Sequence, residues 1–417
     1  MLSQLYIMDN QGINKKRLFI ASSLGLVVTA PTFAIRANLL ETLGAAFSLS
    51  PSEVGEVAAA AFWGFTIAMF VGGPLCDKIG LAAIYRCAFW SHLLGILATI
   101  MAQGYYSLFF STLLVGFANG FIESASYTLV SSLYPMDKAR RINDWHIWFP
   151  AGIVIGGLMA YFLSAWGLGW QVQMAVMIPP TLVYGYLFNK QHFPKSERVS
   201  LGISDGEMVR ECLRPLFVIM VCLMLLTSAT ELGTNQWIAA LLANVGIPAI
   251  LLLVFINGLM TVGRMYASTV LKWLPTTGLL FFSALFSCAG LLWLGSAQGW
   301  WAFVAAGVFA VGICYFWPTM IGFVSENMPR TGPLGLSIMG GAGLMSTAIV
   351  LPLFGKLYES RLQEAQSQAP HAAEPRTWQL IAGADTLQTV SVLPAILIVA
   401  FGLLHIYNKK NKKKKHG

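Results

Sequence analysis

Asn119, Glu123 and Tyr127 stand at i, i+4 and i+8 in the stretch Gly116 to Val130. That spacing lines them along one face of a helix. An amide, an acid and a phenol on one face can hold a hydroxylated solute, and the acid can also take up and release a proton. The residues around them are mostly apolar, and a charge deep in lipid costs several kcal/mol, so Glu123 must face a bundle interior or a water-filled cavity. The plain structural alternative is an acid that only pairs with Arg36. Arg36 is itself an intramembrane charge, in Phe33-Ala34-Ile35-Arg36-Ala37-Asn38, and three readings fit it. It forms a salt bridge to Glu123 that substrate or proton breaks, it binds a carboxylate or phosphate bidentately, or it snorkels to the outer surface.

A second polar group lies at Thr227, Glu231, Thr234, Asn235, Gln236 and Trp237, with Glu231 and Asn235 at i, i+4 and Gly233 able to break the helix between them. It is either a substrate-binding face or a solvated outer mouth. Asn143 and His146, beside Asp144 and between Trp145 and Trp148, form either a titratable gate or an interfacial anchor. A turn further back reads Gly73-Pro74-Leu75-Cys76-Asp77-Lys78-Ile79-Gly80, with Arg86 following. Gly73 allows helices to approach closely and Gly80 permits a tight turn. Asp77 can accept hydrogen bonds from a neighbouring helix end or pair with Arg86, a polar lock that holds one conformation and releases in another. Gly258 to Arg264 echoes this turn weakly, without the acid.

The elements that must position these groups are set by composition. Of 417 residues, 56% are hydrophobic and 11% charged, against about 25% charged in soluble proteins. Twelve apolar runs reach spanning length: 18–40, 54–76, 82–102, 106–131, 147–166, 170–189, 215–240, 247–268, 277–296, 300–323, 333–355 and 388–407. Each must be a helix, because lipid offers backbone groups no partner. With the N-terminus inside, 22 of the 26 Lys and Arg fall on the cytoplasmic side, Arg264 among them. The expected fold is an all-α membrane protein of twelve transmembrane helices in two six-helix bundles, with both termini cytoplasmic. Residues 1–189 form the first bundle, 190–214 a cytoplasmic linker, 215–408 the second bundle and 409–417 a Lys-rich tail. Residues 15–34 imitate a secretory signal, but removing them would leave an odd span count and break the charge alternation.

The turn at Gly73–Gly80 resembles the signature of the major facilitator superfamily. Within it, Asn119-Gly120-Phe121-Ile122-Glu123 followed by Tyr134-Pro135, then Asn143 to Gly152 with His146, and Phe316-Trp317-Pro318-Thr319 are similar to segments of the fucose–proton symporter group. The resemblance implies proton-coupled sugar uptake with Glu123 at the binding site. That group carries a proton-coupling acid in its first helix, where this chain has Arg36. The resemblance and the buried charges together make Arg36, Asn119, Glu123, Tyr127, Glu231 and Asn235 the expected substrate-binding set. Glu123 with Arg36 forms the expected proton-coupling pair, and Gly73, Asp77, Gly80, Arg86, Asn143 and His146 the expected conformational gate.

Other classes lack their signatures. No nucleophile–base pair, H-E-x-x-H helix or phosphate loop is present for an enzyme, and the six-plus-six layout argues against an oligomeric channel pore. An exporter or antiporter of a drug, metabolite or organic anion would share the same features. The net charge of +8 is a topology signal and implies no nucleic acid. The six cysteines fall in helices or on the inner side and form no metal-ligand spacing. Expected, then, are no cofactor, a proton as coupling ion, a sugar-like small-molecule substrate, a monomer, and a multi-pass place in the bacterial inner membrane.

Overall fold

A run of apolar residues in lipid must close its hydrogen bonds internally. In the computed structural model, which describes residues 12–49, 51–196, 199, 202–235, 249–297, 300–368 and 375–416, the apolar runs do so as helices. The first part of the chain holds α1 (Lys15–Ala46), α2 (Pro51–Lys78), α3 (Leu81–Ile100), α4 (Tyr105–Leu133), α5 (Lys138–His146), α6 (Trp148–Ala165), α7 (Trp170–Ala175), α8 (Ile178–Phe188) and α9 (Asp205–Cys212). There follow α10 (Pro215–Ser228), which continues as a π-helical turn over Ala229–Gly233, then α11 (Ala249–Met265), α12 (Ala267–Trp273), α13 (Thr276–Leu294) and α14 (Trp300–Ile313). The chain closes with α15 (Phe316–Asn327), α16 (Gly332–Gln368), α17 (Pro375–Val390) and α18 (Val392–His416).

Among the described residues, ten helical segments are long and apolar enough to cross a membrane, and Ile250–Met265 is a shorter apolar helix. Two of the twelve expected runs differ. Run 170–189 is delivered as α7 and α8, broken at Val176 and Met177. Pro179 and Pro180 follow after Ile178; each lacks an amide donor and crowds the preceding turn, which ends α7 before a full span is made. Run 247–268 is described only from Ala249. Residues 236–240 of the preceding run and 197, 198, 200 and 201 of the linker lie outside the described residues. So do the side chains of 410–416 and all of Gly417 in the tail.

The chain divides into two compact units, Met1–Val221 with Ile321–Met345, and Cys222–Met320 with Ser346–Gly417. In the first, α2 and α4 pack backbone to backbone. A Cβ on Gly116 would strike the Ala61 carbonyl, and one on Gly120 the Phe65 carbonyl. The pair forms a G-x-x-x-G face, the small-residue contact that joins helices where lipid removes any hydrophobic drive. In the second unit, Gly290 against Phe309 and Gly312 against Ser287 do the same for α13 and α14. Leu94, Phe110, Phe162, Val399 and Leu403 are exposed, as side chains that meet acyl chains should be.

Candidate functional site

In the first unit, α4 and α5 bring three side chains into one buried chain. The Tyr127 hydroxyl donates to Glu123 Oε1. His146 Nε2 lies 2.8 Å from the same hydroxyl and 3.5 Å from Glu123 Oε1. With the phenol donating to Glu123, Nε2 of His146 is placed to donate to the Tyr127 oxygen. The two rings stack with centroids 5.8 Å apart, and Trp145 meets both edge-on. Glu123 and His146 are each 2% exposed. An acid, a phenol and an imidazole in line can pass a proton between them without water.

Asn119, one turn earlier on α4, does not join them. Its Nδ2 donates to Thr32 of α1 at 3.1 Å, which leaves Oδ1 to accept from Nε2 of His92 at 2.7 Å. Nδ1 of His92 then accepts from Tyr184 at 2.9 Å. This chain ties α1, α3, α4 and α8 together. His92 and Tyr184 were not singled out from the sequence. The available signal was a lone His inside run 82–102, whose partners lie 27 and 92 residues away in the chain.

Arg36 is 7% exposed, which excludes the snorkelling reading. It forms no ion pair to Glu123 in this conformation. Three residues before it on α1, Phe33 meets Phe62, Phe65 and Phe149, and Phe149 in turn meets His146.

At the Gly73–Gly80 turn, the Ser196 hydroxyl donates to Asp77 Oδ1. Arg86 is not its partner; its Nε donates to the Ala82 carbonyl at 3.3 Å, and among the described residues it makes no ion pair. A Cβ on Gly73 would strike Ser337 and Pro333 near the start of α16, and Gly80 has φ +82°, where a side chain would be strained. Asn143 is buried on α5. Asp77→Asn keeps an oxygen for Ser196 but removes the charge from that hydrogen bond. If the bond exists in only one transport state, uptake should fall about tenfold, the effect of about 1.4 kcal/mol. Uptake at matched expression, with an unchanged melting temperature, checks this; full uptake would remove Asp77 from the lock.

In the second unit, Glu231 lies in the π-helical turn Ala229–Gly233 and accepts from Arg264 Nη2 of α11 at 3.1 Å. Nε of Arg264 donates to the Cys314 carbonyl at 2.7 Å, and Tyr315 donates to the Gly263 carbonyl at 2.7 Å. Glu231 is 3% exposed and Arg264 1%. Glu231 is thus buried rather than solvated, and Arg264 is a buried cation paired with it. Its sequence place beside Gly263 concealed this, because a long side chain can reach inward from a helix end. Asn235 is buried on the same segment, while Gln236 and Trp237 lie outside the described residues.

Span-length apolar helices around these buried polar clusters define a polytopic helical membrane protein. A model of the Major Facilitator Superfamily matches residues 19–352, and the chain belongs to that superfamily of transporters. Its fold is similar to that of a D-xylose–proton symporter, at 16% identity over 92% of this chain and 97% of that one, with a TM-score of 0.72. An E. coli fucose–proton symporter is similar at 16% identity over 91% and 99%, with a TM-score of 0.63. Facilitated glucose transporter member 10 of Xenopus laevis (solute carrier family 2) is 25% identical over 189 residues, 43% of this chain and 34% of the relative. The Xenopus tropicalis counterpart is 23% identical over 173 residues, 40% and 31%. The chain therefore aligns with about a third of the length of these relatives.

Proposed function

We propose that this transporter is a proton-coupled symporter of a sugar-like solute, working by alternating access. The observation that carries the reading is the buried chain Glu123–Tyr127–His146. A carboxylate kept inside an apolar span is a functional group by default, and here it is joined to two further proton-carrying groups. The names of the similar proteins, symporters of D-xylose and of fucose, support the same chemistry. On this account Glu123 takes the proton, and Glu123 and Tyr127 hold the solute's hydroxyls.

The reading carries twelve spans, with α7 and α8 together making the sixth, and both termini in the cytoplasm. Two halves, 1–189 and 215–408, are joined by 190–214, in a monomer of the bacterial inner membrane. Proteoliposomes with a panel of labelled sugars, with and without an inside-alkaline pH gradient, test it. One proton per solute should give about tenfold accumulation per pH unit, abolished by a protonophore. Uptake that only equilibrates would make the protein a uniporter, and uptake of no sugar would overturn the substrate class.

A further inference from the structure

Arg36 is a site residue whose charge the symport reading leaves unused. It sits within the first spanning segment, Lys15–Arg36, and is 93% buried, given its 7% exposure. Among the described residues it has neither an ion-pair nor a hydrogen-bond partner. The polar groups near it along α1 are occupied elsewhere. Thr32 accepts from Asn119, and Asn38 donates to Ser164 at 3.1 Å and Gln173 at 3.3 Å. Glu123, the acid that could have neutralised it, is held by Tyr127 and His146 instead. A guanidinium cannot shed its proton in a protein, so the site carries a fixed positive charge with no partner among the described residues to balance it.

We propose that Arg36 receives the carboxylate of the transported solute, which makes the substrate a sugar acid rather than a neutral sugar. This rests on the sugar reading above. The planar fork of Arg matches a carboxylate through two parallel N–H···O bonds. A single cation balances a monoanion, whereas a phosphate ester would bring nearly two charges to one arginine. Glu123 is held by Tyr127 and His146 and not by Arg36, so the solute's acid end and its hydroxyl end are received by different side chains. With Glu123 protonated and the carboxylate on Arg36, the loaded site is neutral, which is the state that crosses a low-dielectric barrier at least cost.

Binding of labelled D-glucuronate, D-galacturonate, D-glucose and D-galactose to the purified full-length protein tests this. At least one acid should bind ten- to a hundredfold more tightly than its neutral counterpart, the range that a charge-assisted hydrogen-bonded pair provides. Arg36→Gln should erase that preference, and Arg36→Lys should restore only part of it, because an ammonium lacks the fork. Arg36→Gln should melt at or above the wild-type temperature, since it removes an unbalanced charge. A drop of several degrees would show Arg36 to be a structural residue and overturn the proposal. Equal affinity for acids and neutral sugars, or a preference that survives Arg36→Gln, would overturn it too and leave the sugar reading standing. Binding of none of the four would overturn both.

Discussion

Glu123→Gln is expected to abolish accumulation driven by a pH gradient while counterflow exchange persists. The amide oxygen can still accept the Tyr127 hydroxyl, and His146 still reaches that hydroxyl, so the local geometry made by the 2.8 Å contact is kept. What disappears is the group that changes protonation state. Without it the cycle carries solute but no proton, and a gradient that carries nothing does no work on the solute. The accumulation ratio should fall from about tenfold per pH unit to about one. Labelled-substrate counterflow and gradient-driven uptake, measured on the same proteoliposomes, separate the two outcomes. If Glu123→Gln still concentrates solute, the coupling proton is carried elsewhere, and Glu231 is the next acid to replace.

Arg264→Met is expected to be among the most destabilising single substitutions in the second unit. It leaves the apolar stem in place but removes the guanidinium that meets Glu231 at 3.1 Å and the Cys314 carbonyl at 2.7 Å. Breaking a buried pair from one side strands the other charge, at about 3–5 kcal/mol. Removing both charges strands neither, so Arg264→Met with Glu231→Gln should recover most of the loss. Melting temperatures of the two single variants and the double variant form the cycle. Additive losses would show that the pair does not hold α10 to α11. The contrast with Arg36→Gln is the useful control, since among the described residues Arg264 has an acidic partner and Arg36 has none.

Much of this was legible from residue types. Lipid admits only helices and closed barrels, so apolar runs of spanning length with no strand-like alternation already specify an all-helical chain. The same constraint makes Arg36, Glu123 and Glu231 conspicuous, because a charge inside a span requires a reason. Gly233 beside Glu231 allowed a helix break, and a π-helical turn stands there, a form of irregularity frequent at functional sites. The Pro179-Pro180 pair is equally visible as a helix breaker, inside the expected run 170–189.

Pairing was not legible. Helical spacing placed Asn119, Glu123 and Tyr127 on one side of α4, yet each further step of four residues drifts about 40° around the axis. That drift is enough to turn Asn119 toward His92 and Thr32 while Glu123 and Tyr127 meet His146. The sequence by itself determined the helical class and the inventory of polar groups inside apolar runs, since these follow from how lipid solvates a chain. Only the tertiary structure decided that Glu123 meets His146 and not Arg36, that Asp77 meets Ser196 and not Arg86, and that Arg264 is buried. The rotation and offset of neighbouring helices in lipid are set by close contacts such as Gly116 on Ala61. No residue's spacing along its own helix records where those contacts lie on the next one.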